Sequence, residues 1–290
     1  MISLPEITIC DVAGELGENV LSNADFPRIA STTGFSARRQ AAHKTSLLDL
    51  ALRAARKVNC AEIGAVIAAT FSSAERFPAL AIRVASALGL PADAPAFDLQ
   101  MACSAYPYAI YLAGRLAADL RHKVLVIHGD IQSRLTESTD LATAPLFSDA
   151  ATATIVKCAE NGANRSLFST YSRASEALIC PAEGPIRMDG LGVFSFVAEQ
   201  VVDLLRPFEG QYDYFVPHQA NLYMVRRLAR ELGLSDEKVV MCDGRWANPG
   251  GCSIPLLLAE ARRNGTALLA GFGAGLSAAA LTVRVDLSQD

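Results

Sequence analysis

The chain has 290 residues, 51% of them apolar, which is enough to bury a sizeable core as one large domain or as two intimately packed halves. A net charge of −4 gives no overall attraction to nucleic acid or to an anionic membrane surface. The seven cysteines (Cys10, Cys60, Cys103, Cys158, Cys180, Cys242 and Cys252) are odd in number and form no CxxC pair, which speaks against a disulfide framework and a structural zinc site.

The first residues, MISLPEITICDVAGELGENV, lack a basic stretch followed by an unbroken apolar one, so no signal peptide is expected. No run of about 20 uncharged apolar residues follows, so no membrane span is expected, and the composition fits a reducing, cytoplasmic compartment. Residues 63–70 are rich in β-branched side chains and predict a buried strand; 78–88 predict a helix ended by Gly89. A short extended run at 96–99 precedes a long helix over 104–120. Strands are predicted at 123–128 (KVLVIH) and 151–157 (ATATIVK). In the second half, 213–216 predicts a strand and 222–232 a helix with an Arg-rich face, ended by Gly233. The stretch 239–242 is short and extended, and 253–263 is a helix with Pro255 in its first turn. Strands at 267–271 and 276–285 flank a Gly-rich turn.

Near-continuous apolar strands alternating with helices argue for largely parallel sheets covered on both faces. ATATIVK and SAAALTVRV are similar and each follows a small-residue turn, which suggests a duplicated α/β unit. The irregular stretch 158–188 is the expected seam, giving halves 1–160 and 161–290.

Three segments carry chemistry. In FDLQMACSAY a strand runs directly into Cys103, which opens an apolar helix; the positive end of the helix dipole favours a thiolate there. Read alone, Cys103 fits a buried structural cysteine better than a reactive one. In FVPHQAN, His218 falls at a strand end, where α/β folds place reacting groups, and reads equally well as a hydrogen-bonded core histidine. His122 and His128 flank a strand and read as structural. In WANPGGCSIP, Asn248 sits in a turn, either as a plain loop residue or as an amide donor aimed into a cleft. Together Cys103, His218 and Asn248 form a coherent set for thioester chemistry: the sulfur attacks an acyl carbonyl, and a neutral imidazole and an amide stabilise charge on a second thioester oxygen. The turn GFGAG could bring a backbone N–H to Cys103 and complete an oxyanion hole with the N–H of Cys103 itself.

These segments resemble β-ketoacyl-ACP synthase III and its relatives in the thiolase superfamily. The family pattern is an FD-containing strand before the nucleophilic Cys, then VPHQAN, then a GN- or AN-containing turn, then an AFGGG-like loop. Here they read FDLQMACSAY, VPHQANL, WANPGGCSIP and GFGAGLS, with further similarity in TGFSARR, TFSSAERFPALA and FSDAATATIV. The resemblance implies a thiolase-like α/β fold, two duplicated halves in a layered αβαβα arrangement, and a homodimer. It implies that Cys103 takes the acyl group as a thioester. His218 and Asn248 then bind the carbonyl of a malonyl-type extender, promote its decarboxylation and stabilise the enolate. Gly273 and Ala274 shape the oxyanion loop, Phe272 lies near the nucleophile, and Phe77 matches a position that reaches across a dimer interface toward the partner's acyl pocket. No cofactor or metal is implied.

Two family features are missing. The Trp-containing segment before TGI is deleted, and no Arg precedes FSDAATA. Both would help hold an adenine nucleotide, so an acyl group on an acyl carrier protein is at least as plausible a donor as acyl-CoA. Carrier proteins are acidic, and Arg226, Arg227 and Arg230 on the helix after VPHQAN form a candidate docking face or a plain solvated one. The competing readings are an acyltransferase on the same scaffold, a papain-like cysteine hydrolase (opposed by the absence of a CGSCW-like stretch), and a non-catalytic partner subunit, which usually loses the Cys or the His.

Overall fold

Strands whose residues are apolar at nearly every position need cover on both faces, and the computed structural model shows how this chain supplies it. It describes residues 1–159 and 164–287. The expected boundary between residues 160 and 161 lies outside the described residues.

In chain order the strands are β1 (Ile2–Pro5), β2 (Ile7–Leu16), β3 (Asn19–Ser22), β4 (Ala37–Gln40), β5 (Ile63–Ala69), β6 (Ala96–Leu99), β7 (Lys123–Asp130), β8 (Ala150–Cys158), β9 (Arg165–Ser172), β10 (Leu178–Ile179), β11 (Arg187–Met188), β12 (Tyr214–Pro217), β13 (Gly265–Gly273) and β14 (Ser277–Val285). The helices are α1 (Pro27–Thr33), α2 (Leu47–Ala55), α3 (Leu80–Ala87), α4 (Ala105–Leu120), α5 (Gly190–Phe196), α6 (Val202–Leu205), α7 (Leu222–Glu231) and α8 (Ser253–Ala261).

A 10-stranded sheet falls into two lobes. One holds β2, β8, β7, β5 and β6; the other holds β1, β9, β14, β13 and β12. They join where Arg284 and Val285 pair in parallel with Thr8 and Ile9. The lobes repeat one pattern. β5 and β7 are parallel and β7 turns back into antiparallel β8, which pairs with antiparallel β2. Likewise β12 and β13 are parallel, β13 turns back into β14, and β14 pairs with antiparallel β9. The two similar segments in the sequence are thus the return strands β8 and β14 of a repeated unit.

The sheet is mixed, not largely parallel. The apolar strand pattern reflects burial on both faces, which antiparallel β8 and β14 share with their parallel neighbours. Helices α4 and α8 pack inside, where each touches strands of both lobes. Outside, α2 and α3 cover the first lobe, and α6 lies on β9 and β14. The expected extended run at 239–242 makes only an isolated bridge from Val239 to Phe215. Strands β1, β2 and β9 escaped the sequence reading because polar residues such as Asp11, Glu15 and Ser169 interrupt their apolar runs.

An inner helix must be slim. On α4 the buried positions include Ala105, Ala109, Ala113, Gly114 and Ala117, and a methyl group on Gly114 would collide with the Ile7 side chain of β2. Gly114→Ala should therefore destabilise the protein by about 1–3 kcal/mol through overpacking. Urea unfolding measures this, and an unchanged midpoint would show that β2 gives way freely.

Candidate active site

The strand β6 delivers the first site residue. Both oxygens of Asp98 accept backbone N–H bonds at the start of α3, from Leu80 and Ala81, each at 2.8 Å. The chain then turns sharply. Ala102 takes the left-handed conformation with φ 44°, a 3₁₀ turn spans Ala102–Ser104, and α4 follows. A left-handed alanine costs about 1–2 kcal/mol, so the elbow needs anchoring. Ser104 Oγ, 2.7 Å from Ser277 Oγ, ties it to the start of β14.

Cys103 is buried. Burial pushes its thiol up to about 11; hydrogen bonds from the backbone of Ala274 and of Cys103 itself act the other way, and the Asp130 carboxylate adds to the rise. The expected thiolate is therefore not the resting form. Desolvation of the charged sulfur outweighs the help of the helix terminus. In the loop after β13 the left-handed conformations fall on Gly273 (φ 147°) and Gly275 (φ 88°), not on Ala274. An alanine thus fits between two glycines with its N–H directed at the sulfur.

His218 follows β12, and its N–H donates to Ala270 O at 2.7 Å, extending the parallel pair with β13. The ring is buried, with Nδ1 2.8 Å from Ser253 Oγ and Phe272 edge-on at 5.5 Å. Ser253 Oγ also accepts from Gln219 N–H at 3.1 Å. The hydroxyl keeps its own proton available for Nδ1, an arrangement that leaves the ring proton on Nε2. Burial lowers His218 to about 4, against the effect of a hydrogen bond to the Gly250 backbone, so the imidazole is neutral near pH 7.

Asn248 follows a second left-handed alanine, Ala247 (φ 46°). Its backbone is held at three points: N–H to Leu146 O (3.0 Å), and O accepting from Ser148 N–H (2.9 Å) and Gln132 Nε2 (3.2 Å). Its side-chain Oδ1 accepts from Gly250 N–H at 2.8 Å, while Nδ2 has only a long 3.4 Å contact with Ala220 O. One amide hydrogen is left for another acceptor.

Cys103, His218, Asn248, Phe272 and Gly273 line one small cavity of about 70 Å³. Cys103 also borders a larger apolar cavity of about 520 Å³, walled by Phe71, Met101, Leu178, Ile186 and Ala274. Cys103 thus borders both spaces. Phe77 lines neither cavity and is 85% exposed. Arg226 and Arg230 are exposed on α7. Arg227 is partly buried, with its guanidinium 4.9 Å above the Phe194 ring and 3.7 Å from Glu231. Ser253 and Gln132, which hold His218 and Asn248, were missed in the sequence; the only hint was Ser253 opening a helix just beyond the Asn248 turn. No His, Cys, Asp and Glu cluster suited to a metal ion occurs among the described residues. Among them, no helix is long and apolar enough to cross a membrane.

The neutral His218 has a consequence for stability. Its folded value, about 4, lies below the ordinary 6.5, so the unfolded chain binds more protons between these pH values. Stability is expected to fall as pH drops through that window, and His218→Gln should flatten the fall. Urea midpoints of both proteins across the window provide the check; parallel slopes would exclude His218 as a source.

Comparison with known proteins places the chain. Profiles for 3-oxoacyl-[acyl-carrier-protein] synthase III match residues 97–175, and for its C-terminal part residues 209–285. The β-ketoacyl-[acyl-carrier-protein] synthase III of Rhodospirillum rubrum is 33% identical over 89% of this chain and 90% of that protein. Among solved structures, a 3-oxoacyl-(acyl-carrier protein) synthase from Burkholderia xenovorans superposes with TM-score 0.91 at 28% identity, covering 99% of this chain and 96% of that one. The synthase III of Pseudomonas aeruginosa gives 0.88 at 30% identity, covering 97% and 98%. A priming β-ketosynthase from a polyketide pathway gives 0.86 at 26% identity, covering 99% and 98%. With this fold, these motifs and this length of similarity, the chain belongs to the β-ketoacyl-ACP synthase III family of condensing enzymes.

Proposed function

We propose that this protein loads an acyl group onto Cys103 and condenses it with a malonyl-type thioester, in fatty-acid or specialised polyketide-like biosynthesis. The observation that carries this reading is the position of Cys103 between two spaces, one apolar and one lined by His218 and Asn248. The apolar cavity suits an acyl chain. Cys103 gives up its proton as the sulfur attacks the acyl carbonyl, and the departing thiolate takes that proton up. The original thiol carrier leaves with a proton. The malonyl-type thioester then enters the small cavity. His218 Nε2–H and the free Asn248 amide hydrogen donate to its carbonyl oxygen. The bond to the carboxylate breaks, CO₂ departs, and the electron pair becomes the enolate. Its carbon attacks the acyl-Cys103 carbonyl, whose oxygen develops negative charge toward the N–H groups of Cys103 and Ala274. Collapse forms the β-ketoacyl thioester and returns Cys103 as a thiolate, which takes up a proton.

An acyl carrier protein is the proposed donor of acyl or malonyl groups, with acyl-CoA as the alternative. Exposed Arg226 and Arg230 suit an acidic partner, and exposed Tyr223 and Leu191 lie beside residues that line the small cavity. A homodimer is proposed on two grounds. Among the described residues the edge strand β6 has no further partner in the sheet, and Phe77 is a large apolar side chain left in solvent. The division into two halves near residue 160 is kept as a proposal, in keeping with the repeated strand pattern.

Intact-mass spectrometry with a panel of acyl-ACP and acyl-CoA donors should show one acyl adduct, absent in Cys103→Ala. His218→Ala and Asn248→Ala should still take the acyl group but release at least about 100-fold less CO₂ from malonyl thioester. An acylated Cys103 with no CO₂ release in the wild type would favour transfer to a hydroxyl or amine instead; no adduct from any donor would favour a non-catalytic subunit. Reversing both exposed charges, Arg226→Glu with Arg230→Glu, should raise KM for the carrier protein about 10-fold at low salt, with a smaller effect at high salt.

A further inference from the structure

Among the described residues, four buried side-chain polar atoms lack a hydrogen-bond partner, and three of them lie together: His128 Nδ1, His128 Nε2 and Asp130 Oδ2. The two residues stand two apart on β7, so they share a face. His128 Nε2 is 3.9 Å from Asp130 Oδ2, too far for a direct hydrogen bond. The other oxygen is saturated. Asp130 Oδ1 accepts from Thr70 Oγ1 (3.0 Å), Phe71 N–H (2.9 Å), Ser72 N–H (3.1 Å) and Ser72 Oγ (2.9 Å).

The pair lies under the catalytic machinery. The space Gly251 leaves by lacking a side chain is filled by the His128 imidazole, and the Cys252 thiol donates to His128 O at 3.2 Å. The turn that carries Asn248 therefore rests on His128. Phe71, whose N–H is bound by Asp130, walls the larger cavity with Cys103. The titratable groups in electrostatic reach are Cys103, Cys180 and Cys252 for Asp130, and His218 for His128. Asp149 on the neighbouring segment is engaged by Ser133 and Ala41, near Arg134.

We propose that Asp130 and His128 are positioning residues that hold one proton between them beneath the catalytic turn at neutral pH, and that its loss at higher pH makes the Cys103 sulfur harder to ionise. The inference rests on Cys103 being the nucleophile. A carboxylate with one unpartnered oxygen, fully removed from water, is a costly species, and an imidazolium with no acceptor is equally so. Burial pushes each toward its neutral form, Asp130 up to about 7 and His128 down to about 3. The proton resides on the carboxyl; its transfer to the ring gives an ion pair with the same net charge of zero. Loss of the proton leaves a buried negative charge, and that charge raises the Cys103 thiol. The pair thus sets how readily the sulfur ionises, and it does so without touching substrate.

The test is the pH profile of Cys103 alkylation by iodoacetamide, followed on its own peptide by mass spectrometry. Asp130→Asn keeps an oxygen for the four donors and puts an amide where the unpartnered oxygen was; the profile should move to lower pH by roughly half a unit or more. His128→Gln sets a permanent donor beside Oδ2 and favours the carboxylate, so the infrared band of the protonated carboxyl should vanish at lower pH than in the wild type. An Asp130→Asn profile that superposes on the wild type or moves to higher pH overturns the proposal, as does a carboxyl band in His128→Gln that vanishes at the same or a higher pH. If Asp130→Asn does not fold, His128→Gln decides by itself: a carboxyl band that vanishes at lower pH supports the pair and any other result overturns it. On the wild type, infrared spectroscopy should show a protonated-carboxyl band at neutral pH that vanishes at alkaline pH, and its absence at neutral pH also overturns the proposal. Alkylation needs neither donor nor extender. A protein that shows these shifts but never condenses would defeat the functional reading and leave this one standing.

Discussion

The site depends on bringing a helix start into the interior twice. Both α4 and α8 begin deep between the lobes, each after a 3₁₀ turn; Ala102 opens the first turn and Ala247 stands shortly before the second, and both are held in the left-handed region. Those alanines are unfavourable locally and are kept in place by surrounding bonds: the Ser104–Ser277 contact on one side and the three backbone bonds of Asn248 on the other. Cys103 and Asn248, the proposed reacting groups there, are therefore placed by backbone that has little freedom to relax, which is the condition for preorganised catalysis.

Placing reacting groups in the interior sets their charge states. Water is excluded, so the thiol, the imidazole and the Asp130 carboxyl all shift toward their neutral forms. A site of neutral donors is well suited to a reaction whose charge appears only transiently, on an enolate and on a tetrahedral oxygen. The same burial explains why donor geometry, through Ser253 and Gln132, matters more here than any fixed ion pair.

Much of this was legible in the sequence because the chemistry lies in short contiguous motifs. VPHQAN combines a strand end, a histidine and an N-cap in six residues, and Asn221 does cap α7 by accepting from Met224 N–H. The duplicated unit was visible in two return strands. What could not be read was set by contacts distant in sequence. The mixed direction of the sheet follows from which strands meet, not from their apolarity. The high pKa of Cys103 follows from burial by both lobes. His128 read as structural because nothing local shows that its ring fills the space over Gly251, 123 positions along the chain.

The loop after β13 divides its labour between backbone and side chain. Gly273 and Gly275 absorb the unusual conformations, and the N–H of residue 274 is fixed by them. The side chain of Ala274 is then free of that duty, and the residue lines the large cavity and not the small one. On the proposed reaction, selectivity and rate are thereby separable at one position: size at residue 274 trims the room for an acyl chain, while the hydrogen bond proposed to stabilise developing charge stays where the glycines put it.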